Sequence, residues 1–83
     1  MKNYLILCRS VTSAQRSARL LEGALIRAAV VKAPSGLTNR GCTYALQLHG
    51  KLEQAVALLR KQGVPFGKIF ERAENGEYRE VRL

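Results

Sequence analysis

Apolar and polar positions along the 83-residue chain fall into short segments of changing period. Tyr4–Cys8 is an apolar run closed by Arg9, the mark of a buried strand. Beyond it, Ala14, Ala18, Leu21 and Leu25 recur at helical spacing while Gln15, Arg16, Arg19 and Glu22 face elsewhere. Thr12 followed by Gln15 fits a capping box, in which the hydroxyl accepts from an open backbone amide and the glutamine reaches back. The pattern predicts a first helix from about Ser13 to Ala24, with Gly23 either inside it or capping it. Ile26–Lys32, short and rich in Ala and Val, predicts a second strand.

Ala33–Gly41 is punctuated by Pro34, Gly36 and Gly41 and reads as a loop too long for a tight hairpin. Cys42–Leu48 then alternates, with Cys42, Tyr44, Leu46 and Leu48 on one face and Thr43, Ala45 and Gln47 on the other, a third strand. His49 and Gly50 break it. Leu52, Ala55, Val56 and Leu59 mark a second helix, stopped by Gly63 at its C′ position and by Pro65. Phe66–Arg72 predicts a fourth strand, Glu74-Asn75-Gly76 a hairpin turn, and Glu77–Leu83 a fifth strand folding back. The order βαββαβ predicts an α+β, ferredoxin-like sandwich: an antiparallel sheet of order 4-1-3-2 with two helices on one face, extended by the C-terminal strand. One domain over residues 1–83 is expected from the length.

Composition narrows the function. Lys and Arg number 14 against six acids, all of them Glu, for a net charge of +8. There are two Cys, one His and no Trp. This excludes a dense disulfide scaffold and a compact zinc finger with four Cys/His ligands. Without Asp, a Ser-His-Asp triad is excluded, although Glu could substitute. No carboxylate pair, phosphate loop or catalytic His is placed for an independent enzyme, so a carrier or accessory protein is expected, with neither metal nor cofactor implied. The run Tyr4–Cys8 is shorter than a signal peptide requires and nothing approaches the ~20 residues of a membrane span. A cytoplasmic protein is expected, and in that compartment thiols stay mostly reduced.

The topology gives the cysteines a relationship. Cys8 ends the first strand and Cys42 starts the third, and these two central strands are antiparallel neighbours in the predicted sheet. Facing residues lie ~4.5–5.5 Å apart at Cα, inside the ~4.4–6.8 Å that a disulfide tolerates, so the register decides whether the two meet. The first helix starts just after Cys8, and its open amides favour an anion. Arg9, Arg16 and Arg40 flank the cysteines, and no acid occurs between Met1 and Gln15 or between Gly23 and Lys51. A positive setting lowers a thiol pKa from its usual ~8.5. Cys42 and Cys8 are therefore the candidate reactive residues, with Arg40, Arg9, Ser10, Thr12 and Gly41 as stabilisers of anionic sulfur. Cys8 also fits a buried small hydrophobe. His49 falls at the opposite end of the sheet, which removes a Cys-His dyad or a Cys2His metal site within one subunit.

The stretch Ser35-Gly36-Leu37-Thr38-Asn39-Arg40-Gly41-Cys42-Thr43-Tyr44-Ala45-Leu46, with Ile6–Ala14 and Ala29–Pro34, resembles the selenium/sulfur carrier-like family of small bacterial domains. The resemblance runs from about Tyr4 to Phe70. It implies that Cys42 carries sulfur or selenium as a persulfide or related adduct, and that the partners are donor and acceptor proteins of sulfur or selenium metabolism. The family often has Gly directly after this Cys, where Thr43 stands here.

Two other classes compete. The charge of +8 attracts phosphate in general, but RNA-recognition sheets stack bases on aromatics of the central strands, and the third strand offers Thr43, Ala45 and Gln47 on that side. Nucleic acid is thus a poor expectation. The first strand is apolar on both faces, with Tyr4 and Ile6 on one and Leu5 and Leu7 on the other. Two helices cover one face; the C-terminal segment, another subunit or a partner must cover the second. That reading predicts a homo-oligomer, or an interaction and regulatory module without chemistry.

Overall fold

The computed structural model describes residues 2–34, 36–37 and 44–83. The elements follow in the order β1 (Asn3–Cys8), α1 (Val11–Gly23), β2 (Ala28–Lys32), β3 (Tyr44–His49), α2 (Leu52–Lys61), β4 (Ile69–Arg72) and β5 (Tyr78–Val81). The strands form a five-stranded sheet of order β2-β3-β1-β4-β5, with every neighbouring pair antiparallel. This is the α+β, ferredoxin-like arrangement expected from the element order, with β5 added outside β4. Cys42 and Thr43, read as the opening of the third strand, lie outside the described residues.

Helix α1 begins earlier than the capping-box reading places it. Ser10, not Thr12, is the N-cap: its backbone is extended at φ −143° and ψ 160°, and its Oγ accepts from the Ser13 amide at 3.1 Å. Ser10 takes this role because it leaves the end of β1 already extended, the conformation a cap requires. At the other end the Ile26 amide donates to the Leu21 carbonyl (2.8 Å) and the Leu25 amide to the Glu22 carbonyl (2.9 Å). These two bonds form a Schellman turn with Leu25 at the left-handed position, φ 62°. Gly23 is thus the last residue of the helix, and Leu25 leaves the apolar stripe on which helical spacing placed it. It is 85% exposed, and Ile26 turns into the core instead.

The remaining boundaries move for similar local reasons. Ile26 and Arg27 are consumed by the turn, so β2 starts at Ala28. His49, read as breaking the third strand, is the last residue of β3 and faces Asn3. Phe66–Lys68 precede β4 proper, yet the Gly67 amide bonds to the Leu7 carbonyl at 2.7 Å and the Leu7 amide to the Lys68 carbonyl at 2.9 Å, prolonging the contact with β1. The β4–β5 hairpin closes through the Ala73 amide on the Glu77 carbonyl, with Gly76 at φ 88° supplying the left-handed turn residue.

The main core lies between the sheet and the helices. Ile6, Cys8, Leu46 and Leu48 from the two central strands meet Ala14, Ala18 and Leu21 of α1 and Leu52, Ala55, Val56 and Leu59 of α2. Burying each large aliphatic here stabilises the fold by roughly 1.5–3 kcal/mol. On the other face Leu5, Leu7 and Ala45 are also buried, covered by Val31, Ala33, Leu37, Phe70 and Tyr78. The chain covers its own second apolar face, partly with β5. The premise that called for a second subunit there falls away.

Candidate functional site

Strand β1 delivers Cys8 to the C-terminal edge of the sheet's centre, where it is fully buried. Its Sγ lies 3.6 Å from the Ile6 carbonyl oxygen, within reach of a weak S–H···O bond. Across the ladder it faces Tyr44. Tyr44 is half-buried against the same cluster, so both residues point toward the helical layer. Cys42 stands two residues before Tyr44 in the sequence, and the register therefore does not make the two cysteines a facing pair.

Past Cys8 the chain turns outward. Arg9 is exposed. Ser10 closes the end of α1, its side chain engaged by the Ser13 amide and its carbonyl by the Ala14 amide at 3.0 Å. Thr12 is exposed in the first turn and lines a surface depression of about 320 Å³ with Gln15, Arg16, Arg19 and Leu20. Among the described residues the ion pairs are Lys2–Glu71 at 3.8 Å and Arg82–Glu80 at 3.6 Å, neither of which involves a residue of this stretch. Among the described residues, Arg9, Arg16 and Arg19 therefore belong to no ion pair, and Glu22, one turn along α1 from Arg19, is the acid of this helix. Arg40, Gly41 and Cys42 lie outside the described residues.

His49 sits at the other end of β1, opposite Asn3, where its Nδ1 hydrogen-bonds the Asn3 side-chain oxygen. Five residues of strand separate that edge from Cys8, about 17 Å. No group of three His, Cys, Asp or Glu side chains among the described residues could hold a metal ion. On the outer face of the central strands stand Leu5, Leu7 and Ala45, all buried, while the aromatics of that face, Phe70 and Tyr78, come from β4 and β5. Base stacking in the manner of an RNA-recognition sheet would need them on β1 and β3. Among the described residues no helix is long and apolar enough to cross a membrane.

A family model described as "Putative Se/S carrier protein-like" matches residues 3–71, from the start of β1 into β4. The chain belongs to this selenium/sulfur carrier-like family. No curated protein and no solved structure matches it. The match ends within β4, so the carrier-like unit comprises β1 to β4 with both helices. Strand β5 and its Tyr78 lie beyond the match, although they help cover Leu5, Leu7 and Ala45.

Periodicity did not reveal a second feature at the His49 edge. Leu25, Ile26, Arg27, His49, Gly50 and Lys51 line a depression of about 380 Å³. Lys51, the N-cap of α2, is left-handed at φ 55° and makes no side-chain cap bond. The sequence signal that could have found it is a Lys, in place of a capping residue, directly after Gly50.

Proposed function

We propose that the chain carries sulfur or selenium as an adduct on Cys42, passing it between a donor and an acceptor protein. The observation that carries the reading is the membership of residues 3–71 in the selenium/sulfur carrier-like family. Cys8, fully buried, is the poorer acceptor for an external donor, which leaves Cys42 as the point of loading.

In loading, the Cys42 thiolate attacks the outer sulfur of a donor persulfide. A new S–S bond forms on Cys42, the donor's S–S bond breaks, and the donor leaves as its thiolate. Arg9 and Arg40, the Gly41 amide and the Ser10–Thr12 start of α1 provide the positive setting that favours both anions. Release follows when an acceptor nucleophile takes the outer sulfur. Alternatively Cys8 acts as the resolving thiol: its thiolate attacks the Cys42 sulfur, hydrosulfide departs, and the Cys8–Cys42 disulfide that remains is returned to two thiols by an external dithiol. A reducing cytoplasm supplies that last step.

The test is intact-mass measurement after incubation with a sulfane-sulfur donor. The protein gains one sulfur atom, reductant removes it, C8A still gains it, and C42A does not. A C8A variant that gains nothing, or a C42A variant that gains as much as wild type, overturns the reading.

A further inference from the structure

The rim of the depression at the His49 edge is built against the ordinary preferences of the backbone. The Schellman turn ending α1 requires a left-handed residue, a place that glycine fills most often. Leu25 fills it instead at φ 62°, with its side chain 85% exposed. It carries left-handed strain without the compensation of burial. Lys51, across the same depression, is left-handed at φ 55°. Among the described residues these two are the non-glycine residues at positive φ. Strain of this kind gathers where a protein grips something.

The chemistry of the rim names the occupant. Arg27 and Lys51 are exposed, and neither belongs to an ion pair among the described residues. No carboxylate lines this depression; Glu22 lines a neighbouring one with Arg27 and His49, and Glu53 and Glu71 line another with Lys51. An exposed leucine between two cations that belong to no ion pair among the described residues is the complement of an apolar side chain flanked by carboxylates. We propose that this rim docks an acidic segment of a partner protein, with Leu25 as the apolar anchor and Arg27 and Lys51 as the carboxylate contacts. The surface is independent of the sulfur chemistry, since the full length of β1 separates it from Cys8.

A fluorescein-labelled peptide of alternating Glu and Leu, titrated with the full chain at low salt, tests the proposal. Peptides alternating Gln with Leu and Lys with Leu serve as controls. The Glu/Leu peptide binds, and binding is lost in about 0.5 M salt, where charges are screened within a few Å. Leu25→Gly weakens it at least tenfold, as does the double change Arg27→Glu with Lys51→Glu. Arg79→Glu on β5, which alters the net charge elsewhere, changes it less than twofold. Leu25→Gly raises the Tm by roughly 4–8 °C through relief of strain, so its loss of binding is not a loss of folding. Absence of binding, equal binding to wild type and Leu25→Gly, or equal binding of the Gln/Leu peptide overturns the proposal.

Discussion

Cys8 on β1 and Tyr44 on β3 face each other across the two central strands, and both turn toward the helices. This pair fixes what the cysteine edge can do. Tyr44 occupies the ladder position opposite Cys8 that a directly facing Cys42 would have taken. Cys8 itself is fully buried, so an external reagent reaches its sulfur only when the end of β1 opens locally.

The burial of Cys8 makes its packing role measurable. Cys8→Ala leaves a small void in a closely packed cluster and costs about 1 kcal/mol, comparable to the loss of one methyl group. Cys8→Ser keeps the size and can still aim its hydroxyl at the Ile6 carbonyl, but it moves a more strongly hydrated group among Ile6, Ala14 and Leu46, costing roughly 1–2 kcal/mol. Urea midpoints should fall in the order wild type, Ala, Ser. A serine variant as stable as wild type would show that the site is not dry.

Ser10 and Thr12 are both residues that cap helices, and only one does. Ser10→Ala removes the acceptor for the Ser13 amide and costs about 1 kcal/mol. Thr12→Ala, at an exposed position inside the first turn, changes stability by less than about 0.5 kcal/mol. Denaturation of the two variants side by side decides it; a larger loss from Thr12→Ala would contradict the assigned cap.

That contrast marks how far the sequence could be read. Element order followed from the change of period, and the order βαββαβ constrains the sheet to few arrangements. The face assignments held too: Leu46 and Leu48 face the helices and Ala45 the other way. Register was less legible. A slip of two residues leaves every side chain on its own face, so no pattern of apolar positions could distinguish Cys8 facing Cys42 from Cys8 facing Tyr44. Leu25 was misplaced because helical spacing continues smoothly from Leu21 to it, whereas the backbone leaves the helix after Gly23 and Ile26 takes the buried place. For the second apolar face the sequence allowed three kinds of cover, and the choice depended on where the β5 hairpin lies.

Tyr78 carries that choice. It packs, half-buried, against Leu5, Leu7 and Ala45 from the far end of the sheet. Tyr78→Ala should cost about 2 kcal/mol, less than the ~3–5 kcal/mol of a fully buried aromatic. It should also expose part of an apolar face that the chain otherwise covers. Sedimentation velocity at tens of micromolar should then show the variant associating to a greater extent than wild type. Identical sedimentation of the two proteins would mean that Tyr78 does not guard this face.

Three glycines separate backbone strain from packing, because a Cβ added at any of them meets no atom within 4 Å. Gly63 follows the C-cap Gln62 of α2 at φ 69°, and Gly76 holds the β4–β5 turn at φ 88°. Alanine at either site must adopt a left-handed backbone and should cost about 1 kcal/mol with no steric contribution. Gly23 differs: it is the last residue of α1 and has no positive φ. Gly23→Ala therefore removes freedom from the unfolded chain without strain and should stabilise the protein by about 0.4–1 kcal/mol. The three alanine variants, compared by denaturant midpoint, should move in opposite directions, Gly23→Ala up and the other two down. A destabilising Gly23→Ala would mean that Gly23, and not Leu25, takes the left-handed position that ends α1.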